Sequence, residues 1–550
     1  MAKDGQDPPG RGVSHLLDVG AEAPPADRPD QAEPAGSPPS PSAAEPAGPV
    51  PVGALGGGRL AGAPAWAGIA AVLGVGILVH LQAIGSRFLI DDYLHSAMLD
   101  GFFPGDRSPL DLYAFIDDSN RAVMLERGLL PWWSHPEITV RFFRPLSSAL
   151  IWVDRAIFGE APLPMHLHSV LWWAMGVLGA RAIYRQVLGA RAGWIATLVF
   201  AIAPCHAMPL SWLANRDALL SLAFGAFGLV FHLRWRERRA VRDGLVASGL
   251  FALSFLAGEY ALSFLGYVVA IELVRRGDAL KARIATLLPF VVPGTAYMVV
   301  RTALHYGTRG SSFYADPLGD PETFLWFAPR RVGTNLLLSW LALDPESLGW
   351  GIPTWAIGLL VAALGALVLV ALRESFATMD PDRRTGASWL LVGSVLSLAP
   401  ILAVVPSPRL LGATTLGLAA VVGVILDGAW FGGPTTSSRK VRELAATVAL
   451  ALACLHLVRG PGQAWLFGRH HRDTSLRFWS QAQSLAELTP DRASADVMVA
   501  RGLGASFFIP FALGPAGPPR RYRILAHANH VLVTRVDART LELFAARDSA

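Results

Sequence analysis

The chain has 550 residues, of which 52% are hydrophobic and only 16% are charged, and its mean hydropathy is +0.40. This composition excludes an ordinary soluble protein and favours a membrane protein. The net charge of +5 comes from basic residues clustered between apolar runs, so it bears on topology and does not imply nucleic acid as a partner. The two cysteines, Cys205 and Cys454, are far apart and exclude a disulfide framework or a CxxC metal site.

Residues 1–62 are dominated by Pro, Ala, Gly, Asp and Glu, with almost no aromatic or β-branched residues. Such a segment cannot bury enough apolar surface to fold, so we predict a disordered tail. It also lacks the basic-then-apolar order of a signal peptide. The membrane domain is predicted to occupy residues 63–459.

Apolar segments long enough to cross a bilayer recur after the tail. They are 64–86, 165–186, 192–210, 217–233, 284–304, 352–372, 388–405, 409–427 and 443–458. The stretch 244–274 is too long for one span and short for two, and Gly258 and Glu259 lie at its middle. Basic clusters on both sides favour two short helices that return to the same face. The sequence therefore predicts an all-α polytopic membrane protein of about eleven transmembrane helices.

Basic loops give the orientation, because cytoplasmic loops of membrane proteins are enriched in Lys and Arg. They share one face under this threading and lie at Arg181–Arg191, Arg234–Arg239, Arg275–Lys281, Arg373–Arg384 and Arg439–Arg442. We therefore predict an inner-membrane protein with a cytoplasmic N-terminus and a large first extracytoplasmic loop at 87–164. A second outer loop is predicted at 305–351. Residues 460–550 are predicted to form a small extracytoplasmic α/β segment, with strands at Arg523–Ala526 and Val531–Val536.

Paired carboxylates, Asp91 and Asp92, open the first outer loop within a few residues of the membrane surface. Adjacent acids at a partly desolvated interface raise one another's pKa or share a cation, which suits a general base or a metal ligand. The alternative is a solvated cap at the start of the next helix, since Asp favours N-cap positions.

A basic and aromatic cluster, Arg141-Phe-Phe-Arg144-Pro145, follows on the face that should be poor in arginine. A guanidinium group binds phosphate through two parallel hydrogen bonds, and an anionic lipid headgroup would supply the phosphate. The alternative is that Pro145 starts a helix and the arginines extend to lipid headgroups.

Other ionisable residues fall at the same outer face. His206, Arg216 and Asp217 lie at the end of a predicted helical hairpin, where Arg216 and Asp217 either have a function or neutralise one another or other loop charges. Glu259 is the only acid at the middle of its apolar stretch, which indicates either a functional carboxylate or a structural hydrogen bond. Arg409 starts the helix after Pro406-Ser-Pro408 and would add a full charge to the positive end of the helix dipole.

Taken in order, these segments resemble the GT-C membrane glycosyltransferases, especially the O-mannosyltransferases that carry tetratricopeptide repeats and their bacterial relatives. The motifs that carry the resemblance are Phe88-Leu-Ile-Asp91-Asp92, Phe143-Arg144-Pro145-Leu146, Pro204-Cys-His206 with Trp212 and Arg216-Asp217, Ala257-Gly258-Glu259, and Arg409-Leu-Leu. They span residues 85–430. The chain departs from the family at Ala203, at Gly258, and in the direct succession of Arg216 and Asp217, and no tetratricopeptide period follows the spans.

The resemblance implies an inverting transfer of a sugar from a polyprenyl-phosphate donor to an acceptor on the non-cytoplasmic side. Asp91 or Asp92 would be the catalytic base, with a slight preference for Asp92, and Arg144, Arg216 and Arg409 would bind the lipid phosphate. His206, Asp217 and Glu259 would orient the acceptor, or hold a divalent cation if one is used. The acceptor is a protein, a lipid or a glycan.

Two other functions fit an apolar chain with charges near the bilayer. A transporter or flippase for lipid-linked sugars also needs such charges, but it keeps its site near the midplane and often shows inverted repeats, which this sequence lacks. A non-catalytic membrane scaffold would use the C-terminal segment to bind partners.

Overall fold

The computed structural model describes residues 65–275, 278–311, 313–317, 319–345, 351–499, 504–514, 517–525 and 531–545. The predicted tail at 1–62 lies outside this part of the chain. Within it, the protein is mainly helical. The helices are α1 (Ala65–Ile84), α2 (Asp91–Leu99), α3 (Arg121–Arg127), α4 (Pro145–Phe158), α5 (Pro162–Val187), α6 (Ala190–Ala201), α7 (Ala207–Ser211), α8 (Arg216–Arg238), α9 (Val241–Ala257), α10 (Phe264–Val274), α11 (Leu280–Thr286), α12 (Leu288–Ala303), α13 (Pro321–Leu341), α14 (Thr354–Ala377), α15 (Pro381–Leu396), α16 (Gly412–Phe431), α17 (Arg439–Ala453) and α18 (Gly460–Leu488).

Among the described residues, 6 helices are long and apolar enough to cross a membrane, or up to 8 if each of two bent pairs is one span. The bent pairs are α6 with the segment Pro204–Ser211, and α11 with α12. The chain is therefore a multi-pass membrane protein with fewer such helices than the eleven that the sequence predicts. Part of the difference lies in α9 and α10, which have 17 and 11 residues and are each shorter than the roughly 20 residues that cross a bilayer. The chain does divide there into two short helices, as predicted.

The centre of the helical bundle is α16, whose residues 413–426 are all buried. Small residues let its backbone approach the neighbouring helices closely, as is common in membranes. A Cβ atom added at Gly417 would lie 2.1 Å from the carbonyl oxygen of Leu390 on α15, and one at Gly423 would lie 2.5 Å from that of Ala192 on α6. Larger side chains at these two glycines would separate the helices.

Two regions outside the apolar spans are joined by a small sheet. Its strands are β1 (Ala114–Ile116), β2 (Thr139–Arg141) and β3 (Gly307–Arg309), in that order and antiparallel. Since β1 and β2 belong to the first predicted loop and β3 to the second, the sheet ties the two loops together.

The second loop, predicted at 305–351, contains the 21-residue helix α13, which the sequence analysis did not anticipate. The first turn of α13 has two features common at helix N-termini. The Asp320 side chain accepts a hydrogen bond from the Thr323 amide at 3.1 Å, and Pro321 occupies the first turn. Arg331 and Asn335 are buried in its second half, so α13 packs into the bundle although its sequence is not continuously apolar.

The C-terminal segment begins inside a continuous helix. Helices α17 and α18 are joined through a π-helical turn at Cys454–Arg459, so no break in secondary structure marks residue 460. Phe478 of α18 packs with Tyr93 of the first loop. Gly128, also in the first loop, has a left-handed backbone conformation, and a Cβ atom added there would lie 2.1 Å from the carbonyl oxygen of Tyr522. Within the described residues, four strands follow α18. Strand β4 (Asp496–Val499) pairs parallel with β5 (Arg521–Ile524), and β6 (Val531–Arg535) pairs antiparallel with β7 (Leu541–Ala545). Strands β5 and β6 lie where the sequence predicts strands, although Ala526 is outside the described residues.

Candidate functional site

A cavity of about 290 Å³ lies beside the start of α8, the break between α9 and α10, and the end of α12. Charged side chains from distant parts of the chain line it. They are Asp91, Arg144, Glu259, Arg301, Asp316 and Arg409. The rest of the wall is largely aromatic and aliphatic, including Phe142, Trp212, Tyr260, Leu262, Met298 and Ile401. A few charged groups on an apolar wall are typical of a ligand site.

Asp91 and Asp92 point in different directions from the start of α2. Asp91 lines the cavity, whereas Asp92 is 5% exposed and lies on the other side of the helix start. The Asp92 carboxylate accepts hydrogen bonds from the amides of Leu89 at 2.8 Å and Ala214 at 2.6 Å. Asp92 therefore connects the first loop to the segment before α8, and Asp91 is the carboxylate that a molecule in the cavity can reach.

Burial raises the pKa of Asp91 to about 7, although Arg409 and Arg144 act to lower it. A carboxyl group with such a pKa changes its charge near neutral pH, as a general base requires. Ile90, immediately before it, has a φ of 41°, which is a strained conformation for a β-branched residue. The hydrogen bonds that the Leu89 and Ala214 amides donate to Asp92 hold the chain in this conformation, and they thereby fix the direction of the Asp91 side chain.

Arg144 precedes α4 and holds two carboxylates together. Its Nη1 atom lies 2.8 Å from Asp217 Oδ2, and its Nε atom donates to Glu259 Oε2 at 2.8 Å. The guanidinium group also lies over the Phe142 ring, 4.3 Å from its centroid. Arg144 thus neutralises two acids in this structure, and the prediction that it binds the lipid phosphate stays a prediction. Asp217 pairs with Arg144 and not with its neighbour Arg216.

Arg409 and Arg301 line the same cavity without a carboxylate partner among the described residues. Arg409 lies over the Trp212 ring, with its guanidinium carbon 5.5 Å from the ring centroid. Arg301 is in the last turn of α12, and the sequence analysis missed it. It is a single arginine at the end of an apolar segment, on the face that the sequence analysis predicts to be poor in arginine, which is the same anomaly that singles out Arg144.

Four predicted site residues, Asp92, His206, Arg216 and Asp217, do not line this cavity. His206 is 1% exposed, and its Nε2 atom lies 2.9 Å from the carbonyl oxygen of Phe200. Arg216 is 2% exposed and pairs with Asp154 of α4. Among the described residues, no three His, Cys, Asp or Glu side chains converge so that they could hold a metal ion, and the carboxylates of Asp217 and Glu259 face Arg144 instead.

No protein-family model matches the chain, and no curated protein sequence does. Several solved structures are similar to it. ArnT from Cupriavidus metallidurans in the apo state has 13% identity and a TM-score of 0.47, over 83% of this chain and 85% of ArnT. The oligosaccharyltransferase AglB from Archaeoglobus fulgidus, in complex with an inhibitory peptide and a dolichol-phosphate, has 12% identity and a TM-score of 0.42, over 83% of this chain and 64% of AglB. The arabinofuranosyltransferase AftD from Mycobacteria has 15% identity and a TM-score of 0.34, over 80% of this chain and 31% of AftD.

Proposed function

We propose that the chain is a GT-C-type membrane glycosyltransferase of the bacterial inner membrane. It transfers a sugar from a polyprenyl-phosphate donor to an acceptor hydroxyl on the non-cytoplasmic face, with inversion at the anomeric carbon. The observation that carries the proposal is the cavity itself, in which the carboxylate of Asp91 faces the same space as the unpaired guanidinium groups of Arg301 and Arg409. This is the charge arrangement that sugar transfer from a lipid phosphate needs.

In the proposed reaction, Asp91 removes the proton of the acceptor hydroxyl as its oxygen attacks the anomeric carbon. The bond between that carbon and the phosphate oxygen breaks, and its electron pair stays on the phosphate. Negative charge therefore grows on the phosphate in the transition state, and Arg409 and Arg301 stabilise it there. Attack from the side opposite the phosphate inverts the anomeric configuration.

Asp91 is preferred over Asp92 as the base because of where the two carboxylates lie. The carboxylate of Asp92 is occupied by two backbone amides and is closed off from the cavity, so it cannot approach an acceptor. A catalytic base must come within hydrogen-bond reach of the proton it removes. Asp92 then serves to hold Asp91.

Glu259 is the preferred group for orienting the acceptor. One of its carboxylate oxygens binds Arg144, and the other, Oε1, is buried without a hydrogen-bond partner in the described part of the chain. A buried acceptor without a partner is costly, and an acceptor hydroxyl would supply one. The apolar wall at Leu262, Met298 and Ile401 suits the first isoprene units of the donor.

The experiment compares the glycans of a parent strain and a strain that lacks this protein, by mass spectrometry of whole cells. Expression of the wild-type chain should restore the missing glycan, and Asp91→Asn should not, since general-base catalysis contributes about 10²- to 10⁴-fold. Asp106→Asn, at an exposed acid of the same loop, is the matched control and should restore it fully.

Two results would count against this function. Full restoration by Asp91→Asn would remove the proposed base. Loss of the glycan in the deletion strain, with lipid-linked sugars accumulating on its cytoplasmic side, would favour a flippase.

A further inference from the structure

Helices α4 and α8 are joined by two buried ion pairs of opposite polarity. Near the start of α4 the cation is on the α4 side, where Arg144 pairs with Asp217 at the cavity. Further along α4 the polarity is reversed, because Asp154 of α4 pairs with Arg216 of α8. Arg216 and Asp217 are neighbours in sequence, so the two ion pairs hold the first turn of α8 from two different directions. We call the pair between Asp154 and Arg216 the rear pair.

The rear pair is closed off from solvent and fully hydrogen-bonded. The side chains of Arg216 and Asp154 are 2% and 3% exposed. Arg216 also donates to the Ser169 hydroxyl at 2.8 Å and to the carbonyl oxygen of Met165 at 2.7 Å, both on α5. The guanidinium group thus joins α4, α5 and α8 at one point.

A histidine extends this network on the side of Asp154. The Trp172 indole N–H, which can only donate, bonds to His168 Nε2 at 2.9 Å. His168 Nδ1 therefore carries the proton of the neutral ring and donates to Asp154 Oδ1 at 2.7 Å. This bond leaves the second oxygen of Asp154 for Arg216, so His168 fixes the direction of the carboxylate.

The residues just before Arg216 explain why its direction matters. The amide of Ala214 donates to Asp92, and the side chain of Asn215 lines the cavity and donates to Asp217 at 3.1 Å. Successive residues of a helix point about 100° apart. A rotation of the first turn of α8 would therefore move Asn215 at the cavity, the Asp217 carboxylate that holds Arg144, and the amide that holds Asp92.

We propose that Asp154, Arg216 and His168 are positioning residues that set the rotation of the start of α8, and through it the placement of Asp91, Arg144 and Glu259. The inference rests on the proposed sugar transfer for its effect on turnover, but the network itself can be tested without that activity. Hydrophobic residues of similar volume often replace a buried ion pair without loss of stability. What such residues cannot replace is the fixed direction that the ion pair and its hydrogen bonds impose.

The test uses the full-length chain in detergent or in membranes, with the apolar double variant Asp154→Leu/Arg216→Met and the single variant His168→Leu. For the double variant we expect a thermal midpoint close to wild type and a turnover roughly 100-fold lower, the scale of loss expected from a displacement of about 1 Å at a reacting centre. His168→Leu should lose turnover to a smaller extent. Amide hydrogen exchange in residues 212–217 should be faster in both variants, because the Ala214 amide loses its fixed partner.

The matched control is Asp100→Asn. It breaks the ion pair between Asp100, which follows α2, and Arg155 of α4, whose atoms are 2.9 Å apart. It should change neither turnover nor exchange at 212–217. A folded double variant with wild-type turnover and wild-type exchange would overturn the inference. If the double variant does not fold, wild-type exchange and turnover in His168→Leu overturn it equally. If the wild-type chain transfers no sugar, the proposed function fails and the exchange data alone decide whether the network holds α8.

Discussion

Arginines and carboxylates meet at both ends of the helical bundle, but in different ways. At the basic end, where α8 and α10 finish, Arg236 lies between Glu272 at 2.6 Å and Asp278 at 3.0 Å, so the cation has carboxylate partners on both sides. At the cavity, Arg409 and Arg301 have no carboxylate partner among the described residues.

This difference in carboxylate partners indicates which arginines are available to bind a ligand. A guanidinium group that already has carboxylate partners needs no further anion, and its ion pairs add modestly to the stability of the fold. A guanidinium group that lines a cavity without such a partner keeps its N–H groups available for the anion of a ligand. The unpaired arginines are thus a better guide to the site than the number of charges.

Removal of Arg301 and Arg409 tests most directly whether the arginines without carboxylate partners bind the ligand. For Arg301→Ala/Arg409→Ala we expect roughly 100-fold weaker binding of undecaprenyl phosphate, since a hydrogen bond to a charged group contributes about 1.5–3 kcal/mol. Binding can be measured by native mass spectrometry of the full-length chain in detergent.

Arg234→Ala is the control for the double variant, because Arg234 lies over the Phe231 ring near the basic end. Its affinity for the same lipid should equal that of wild type. Equal losses in the control and the double variant would mean that the lipid responds to overall charge and not to the cavity.

Asp92→Asn tests whether the two acids of the first loop differ as their contacts suggest. An asparagine side chain can accept from only one of the two amides that Asp92 binds, and its NH₂ group would face the other. We expect a loss of about 1–3 kcal/mol in the free energy of unfolding, measured by denaturation in mixed micelles. Asp91→Asn should not lose stability, because the Asp91 carboxylate has no hydrogen-bond partner in the described residues, and a large loss there would contradict the division of roles.

The pH dependence of transfer tests Asp91 against an ordinary exposed aspartate. It does not separate Asp91 from Asp92, because burial raises the pKa of Asp92 to about 7 as well. Burial raises the pKa of Asp91 to about 7, so its base form is lost as the pH falls through 7. Turnover at saturating donor should therefore fall about tenfold per unit below pH 7, whereas an ordinary aspartate would remain ionised to about pH 4. Turnover that stays constant down to pH 5 would exclude Asp91 as the base.

Much of the site could be predicted from the order of motifs along the chain. Asp91, Arg144, Glu259 and Arg409 do come together around one cavity, and the break at Gly258 that brings Glu259 there is where the sequence predicts it. What the sequence does not contain is the direction of each side chain. A shift of one residue at the start of a helix turns a side chain by about 100°, which separates Asp91 from Asp92.

The missed helix α13 has a different physical cause. Its apolar residues are interrupted by Pro329, Arg330 and Arg331, so no segment of it is apolar for the length of a membrane span. Burial of its second half depends on a tertiary contact, because Arg331 donates to the carbonyl oxygen of Leu402 at 2.7 Å. Contacts between segments so far apart in sequence cannot be inferred from local periodicity.

The smallest expected effect belongs to the basic end. Asp278→Asn removes one of the two carboxylates beside Arg236, but Asp278 is 41% exposed and Glu272 remains as a partner. Exposed ion pairs contribute about 0–1 kcal/mol, so the free energy of unfolding should change by less than about 1 kcal/mol and sugar transfer should stay at the wild-type level. Denaturation of the purified chain in mixed micelles measures the first quantity, and the glycan assay in whole cells measures the second. If Asp278→Asn abolished transfer, the arginines of the basic end would have to be part of the function, and the contrast between the two ends would no longer identify the site.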